Sequence, residues 1–119
     1  QIKRYKECDV YIETINPSLD GHRYGEWGNT CLEASACGCI VITNCLHLDK
    51  YIKYYENVPA IFVANNREEL KYQIKRILSM SNDQILNYKK KSIEWVKNYH
   101  SFEICGERII NYFNLKNKV

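Results

Sequence analysis

Gly25-Glu26-Trp27-Gly28-Asn29-Thr30-Cys31-Leu32-Glu33-Ala34-Ser35-Ala36-Cys37-Gly38-Cys39-Ile40-Val41-Ile42-Thr43 is the stretch that decides the fold. Over residues 30–37 small and apolar letters cover nearly every face, which predicts a buried helix rather than a surface one. Gly38 follows at once, in the position where a left-handed residue closes a helix. Residues 39–43 are then a continuous apolar run with two Ile and one Val. Such a run fits a strand covered on both faces, as in a parallel sheet.

Outward from this unit the alternation continues. Residues 8–13 predict a short strand rich in β formers, and residues 16–28 a loop punctuated by Pro17, Gly21, Gly25 and Gly28. Residues 49–56 suggest a short helix carrying Tyr51, Ile52, Tyr54 and Tyr55, and residues 60–64 a further strand. Asn66 is placed to cap a helix whose first turn holds Glu68 and Glu69, with Leu70, Ile74, Ile77 and Leu78 at helical spacing. Ser81 and Gln84 form a capping box that opens a helix to about residue 99. Ser101 caps a last helix with Phe102, Cys105, Ile109 and Phe113 on one face. Strands alternating with helices predict an α/β layer structure around a parallel sheet. Three strands make a narrow sheet, and the first residue is Gln1, so the chain is read as a piece of a longer one.

A length of 119 residues suits one domain. With 45% apolar and 26% charged residues, the composition excludes a disordered tail, a collagen-like chain and a coiled-coil rod. No apolar run reaches the roughly 18 residues of a membrane span, and residues 1–6 lack the apolar stretch of a signal peptide. A net charge of +3 is too mild to call for nucleic acid. Six cysteines inside apolar runs, with no secretory signal, read as free buried thiols in a reducing cytoplasm. Cys31, Cys37, Cys39, Cys45 and His47 are dense but contain no C-x-x-C, so small apolar packing is preferred to zinc. Ten tyrosines find no explanation in composition alone.

In open α/β sheets ligands bind at the carboxyl ends of the strands. The loop over residues 16–28 leaves the first strand at that end and runs into the buried helix. Glycines allow close backbone approach, and a helix N-terminus offers free N–H groups that favour phosphate. Glu33 is the charged residue of the buried helix, and two readings stay open for it. Thr30-x-x-Glu33 has the capping-box form, so Glu33 can bond back to the Thr30 amide. Its carboxylate also suits two vicinal sugar hydroxyls.

Residues 25–43 resemble the signature of GT-B glycosyltransferases of the retaining, family-four type, whose pattern runs roughly E-G-F-G-x-x-x-x-E-A-M-A-C-G-x-P-V-V. Residues 8–12 resemble the preceding A-D-V-F-V, and residues 61–70 the later L-V-x-P-x-D-x-E-x-L. The resemblance implies the C-terminal, nucleotide-sugar-binding half of a GT-B fold, with a Rossmann-like parallel sheet flanked by helices. It implies a donor-binding core over residues 8–79 and C-terminal helices over residues 81–113. The motif Glu falls on Glu33 as the ribose ligand, and the amides of Trp27, Gly28, Asn29 and Thr30 fall where the diphosphate is held. The motif's first Glu, which contacts the donor sugar, aligns with Gly25; Glu26 stands next to it. The glycine pair of the family is replaced by Asn44-Cys45-Leu46-His47. His22 and Arg23 are candidates for phosphate contact, with a solvated loop as the alternative.

The implied activity is metal-independent hexosyl transfer from a nucleotide-diphosphate sugar, without a further cofactor, to a glycan, lipid or protein acceptor bound by an N-terminal domain. It implies a cytoplasmic protein. A non-catalytic α/β module or scaffold subunit is the rival reading. Lys89, Lys90, Lys91 and Lys97 with Tyr88, Trp95 and Tyr99 also allow a peripheral membrane contact, against a solvated face beside a core stripe.

Overall fold

The computed structural model describes residues 1–55 and 60–116. Three parallel strands, β1 (Val10–Ile12), β4 (Ile40–Thr43) and β5 (Ile61–Val63), form a sheet in the order β1-β4-β5. Val10 pairs with Ile40 on one side of β4, and Val41 pairs with Ile61 on the other. A two-stranded hairpin, β2 (Ser18–Leu19) and β3 (His22–Arg23), interrupts the predicted loop. Its turn residues Asp20 and Gly21 both have positive φ, at 51° and 78°, as a tight hairpin turn requires. The Asp-Gly pair was a readable hairpin signal, masked by the short flanking strands.

Among the described residues the helices are α1 (Ile2–Lys6), α2 (Asn29–Ala36), α3 (Leu48–Tyr54), α4 (Arg67–Leu78), α5 (Asn82–His100) and α6 (Phe102–Lys116). Residue 56 of the expected short helix lies outside the described residues. Alternate side chains of β4 feed two separate cores. On one face Cys39 and Val41 join Tyr5 of α1 and Cys31 and Ala34 of α2. On the other Ile40 and Ile42 join Phe62, Ala64 and Ile77, with Leu70, Ile74 and Tyr88 packed around them. The chain is therefore α/β, with a small parallel sheet flanked by helices.

Local signals account for the helix limits. The Asn66 side chain accepts from the Glu69 amide, and Ser81 and Gln84 form the reciprocal capping box. At the end of α2 the amide of Cys39 donates to Ala34 O and that of Gly38 to Ser35 O, both at 3.0 Å, around Gly38 at φ +85°. This is the Schellman arrangement that turns a helix into a following strand.

Helix α5 runs under the amino ends of all three strands. Lys89 pairs with Asp9 ahead of β1. Ile93 packs on Gly38 ahead of β4, where an added Cβ would lie 3.3 Å from Ile93 Cδ1. Ser92 Oγ donates to Ala60 O at 3.4 Å ahead of β5. Farther along, Trp95 stacks at 4.5 Å on Trp27. Thus Tyr88 and Trp95 face the protein interior while Lys90 and Lys91 are exposed.

Two expectations change. Leu78 stands on the expected apolar stripe of α4 but is 80% exposed, because the helix ends there and Met80 turns inward instead. The α6 stripe is also open, with Phe102, Ile109 and Phe113 exposed. Ile42→Ala should lower the unfolding free energy by about 2–5 kcal/mol. Leu78→Ala should change it by less than about 0.5 kcal/mol, and urea melts of the two variants compare them directly.

Candidate functional site

The carboxyl ends of β1, β4 and β5 carry Glu13, Asn44 and Asn65 in turn. The Asn65 side chain prolongs the sheet: its Oδ1 accepts from the Cys45 amide at 2.9 Å and its Nδ2 donates to Cys45 O at 3.1 Å. Asn65 is itself held by its amide, which donates to Glu69 Oε2 at 2.7 Å. Asn44, almost fully buried, donates from Nδ2 to Gly25 O at 2.9 Å and so fixes the loop that leads into α2.

That loop meets the sheet in a cleft of about 250 Å³ walled by Glu13, Gly25, Glu26, Gly28, Thr30 and Asn44. Helix α2 opens onto it. Gly28 is the N-cap, and the first helical bond runs from the Cys31 amide to Gly28 O. The amides of Asn29 and Thr30 therefore precede the helical ladder. Among the described residues, Asn44 Oδ1 is buried without a hydrogen-bond partner.

Glu13 lines the cleft although the strand pattern did not single it out. Its carboxylate accepts from the hydroxyls of Thr30 and Tyr11, the amide of Thr14 and the thiol of Cys31. Partial burial raises its pKa, but the donors, Thr30 foremost, outweigh burial and leave it below the ordinary value of 4.5. The readable signal was a carboxylate closing an apolar strand at the sheet's ligand-binding end.

The Thr30-to-Glu33 capping box does not form. The helix begins one residue earlier than expected, Gly28 caps it without a side-chain bond, and the Thr30 hydroxyl is taken by Glu13. Glu33 lies exposed one turn into the helix and does not line the cleft. Asn29 is exposed at the first helical position. Trp27 turns away from the cleft into an aromatic group with Trp95, Tyr51 and His100. Of the residues singled out from sequence, the cleft gathers Glu26, Gly28 and Thr30. His22 and Arg23 are exposed on β3, and Arg23 Nη2 donates to Asn65 O at 2.5 Å.

Gly25 has a structural reason to be glycine. Its φ is +112°, and an added Cβ would stand 2.8 Å from Asn44 Nδ2 and 2.9 Å from Pro17 Cγ. The loop carboxylate stands at Glu26 instead, where Oε1 meets His47 Nδ1 and Oε2 accepts from Cys45 Sγ at 3.5 Å. All six cysteines are free. Cys31, Cys39 and Cys45 are buried, but Cys8 is exposed, since it sits in the turn between α1 and β1. Burial pushes the thiols of Cys31 and Cys45 up to about 11. Among the described residues no group of three His, Cys, Asp or Glu is arranged to hold a metal ion. None of their helices is long and apolar enough to cross a membrane.

Compared with known proteins, the chain matches no family model, no curated protein and no solved structure.

Two outcomes test this construction. Gly25→Ala should cost at least about 2 kcal/mol of stability in thermal or chemical melts, from positive φ and the two close contacts. A depressed carboxyl stabilises the fold above its unfolded pKa and ceases to do so as pH falls through its folded pKa. Glu13→Gln should therefore be less stable than the parent at neutral pH, with the gap closing as pH falls below 4.5.

Proposed function

We propose that this chain is the nucleotide-sugar-binding part of a GT-B glycosyltransferase of the retaining type. In this reading a further domain holds the acceptor. The observation that carries it is the start of α2, which opens onto a cleft at the carboxyl ends of a parallel sheet with Gly28 and Thr30 in its wall. A sugar leaving a nucleoside diphosphate transfers negative charge to the diphosphate. Preorganised N–H groups and the helix dipole stabilise that charge most as it develops. The amides of Asn29 and Thr30 have this role, with Gly28 allowing close approach. Glu26, in the cleft wall, is assigned to the donor sugar, and Glu33, exposed one turn along α2 and outside that wall, takes the ribose hydroxyls only of a nucleotide that extends beyond the cleft. The same arrangement serves a cytoplasmic enzyme that needs no metal of its own.

One observation favours the second reading, a non-catalytic module. Glu13 places the chain's own negative charge at the start of α2 by holding the Thr30 hydroxyl. A carboxylate there competes with an incoming phosphate for the same positive end.

Calorimetric titration of the full-length protein with UDP, GDP and ADP separates the two. The transferase reading expects saturable binding of at least one, weakened by about 1–3 kcal/mol in Glu33→Ala, the scale of lost hydrogen bonds to a charged group. Unchanged affinity in that variant removes Glu33 from the ribose. Binding of none by a folded sample with its partner domain present favours the module.

A further inference from the structure

A second cavity, of about 420 Å³, lies on the other side of Glu26. Its wall is Glu26, His47, Lys50, Tyr51, Tyr54 and Tyr55. We infer that it is a subsite for a neutral saccharide unit. The cavity falls within the size range of small-molecule sites, about 300–1,000 Å³.

Three features of the wall select this chemistry. First, two of the three tyrosines, Tyr51 and Tyr55, offer rings that are fixed from behind. Tyr51 meets Trp27 edge-on at 6.1 Å, and Tyr55 meets Trp95 at 5.2 Å. Tyr54, edge-on to Tyr55 at 4.9 Å, leaves 72% of its surface exposed. Rigid aromatic rings give a large contact area at small entropic cost, and the C–H face of a pyranose is apolar enough to lie on one. Second, the polar groups are of mixed kind. One carboxylate accepts, one ammonium donates, and one imidazole, its Nδ1 already held by Glu26, offers its Nε2. A ligand with several neighbouring hydroxyls satisfies all three at once. Third, the charges balance. Lys50 opposes a cationic ligand and Glu26 opposes an anionic one, so the wall favours a neutral polyol over either.

Glu26 lines both cavities, so the two ligands share one wall without sharing a space. This inference rests on the transferase reading only for the role of the sugar, which it makes one unit of an acceptor that the further domain holds in the main. Binding itself is independent of that reading.

Saturation-transfer NMR on the full-length protein, with the methyl glycosides of glucose, galactose and mannose as probes, tests it. At least one glycoside should saturate, persist in the presence of excess UDP, and bind more tightly than glucosamine or glucuronate. Its Kd should rise by about threefold to tenfold in Tyr54→Ala and in Tyr51→Leu, the scale of a lost ring contact. Exposure of Tyr54 keeps the first variant folded, which a thermal melt verifies. Failure of all three glycosides to saturate overturns the inference, as does an unchanged Kd in both variants. Displacement by UDP overturns it too, because the glycoside would then occupy the nucleotide cleft. Titration with nucleotide alone is a separate reading, so loss of nucleotide binding with retention of glycoside binding rejects only the transferase assignment.

Discussion

Strand β4 has no face toward water, and the rest of the molecule is arranged to keep it so. Ile40, Val41, Ile42 and Thr43 are each fully buried, and both edges of the strand are hydrogen-bonded. A strand in this position exposes no backbone polar group, which a buried chain cannot leave unpaired. The two cores exist because its side chains alternate. Cys39 and Val41 demand α1 and α2, whereas Ile40 and Ile42 demand α4 and the start of α5.

The same constraint builds the site. Once β4 ends at Thr43, its successors still lie in the interior and need partners. Asn44 turns to the carbonyls of the glycine loop, while the Cys45 backbone is met by the Asn65 side chain. Two asparagines thus take over from the ladder where the strands diverge. They hold the loop of Gly25 and Glu26 against the sheet and set the direction in which α2 begins. The cleft follows from how a buried strand is terminated.

How much of this was legible varies with the origin of each signal. The apolar run of β4, the glycine after α2 and the caps at Asn66 and Ser81 act through neighbouring residues, so the letters alone revealed them. Glu26, Gly28 and Thr30 were singled out by the resemblance and by a glycine turn before a helix, and the structure sets them along one cleft. Glu13 was missed because its partner Thr30 lies 17 positions away. That distant contact also displaced the expected cap at Thr30, a case of tertiary structure overriding a local preference. The tyrosines of α3 gained meaning only when Trp27 and Trp95 came to stand behind them. The open stripe of α6 has the opposite history: its periodicity was plain, but periodicity does not say what a face will meet.

The path of α5 beneath the sheet bears on the order in which the protein is made. Asp9 and Lys89 are separated by 80 positions, and the strand starts at Gly38 and Ala60 are closed by residues of the same late helix. As the chain leaves the ribosome, all three strands are therefore synthesised before the element that seals their lower ends. Contacts that span so much sequence form late and slowly. Until α5 emerges, the amino ends of the strands lack the residues that close them, although α1, α2 and α4 are already available to cover β4.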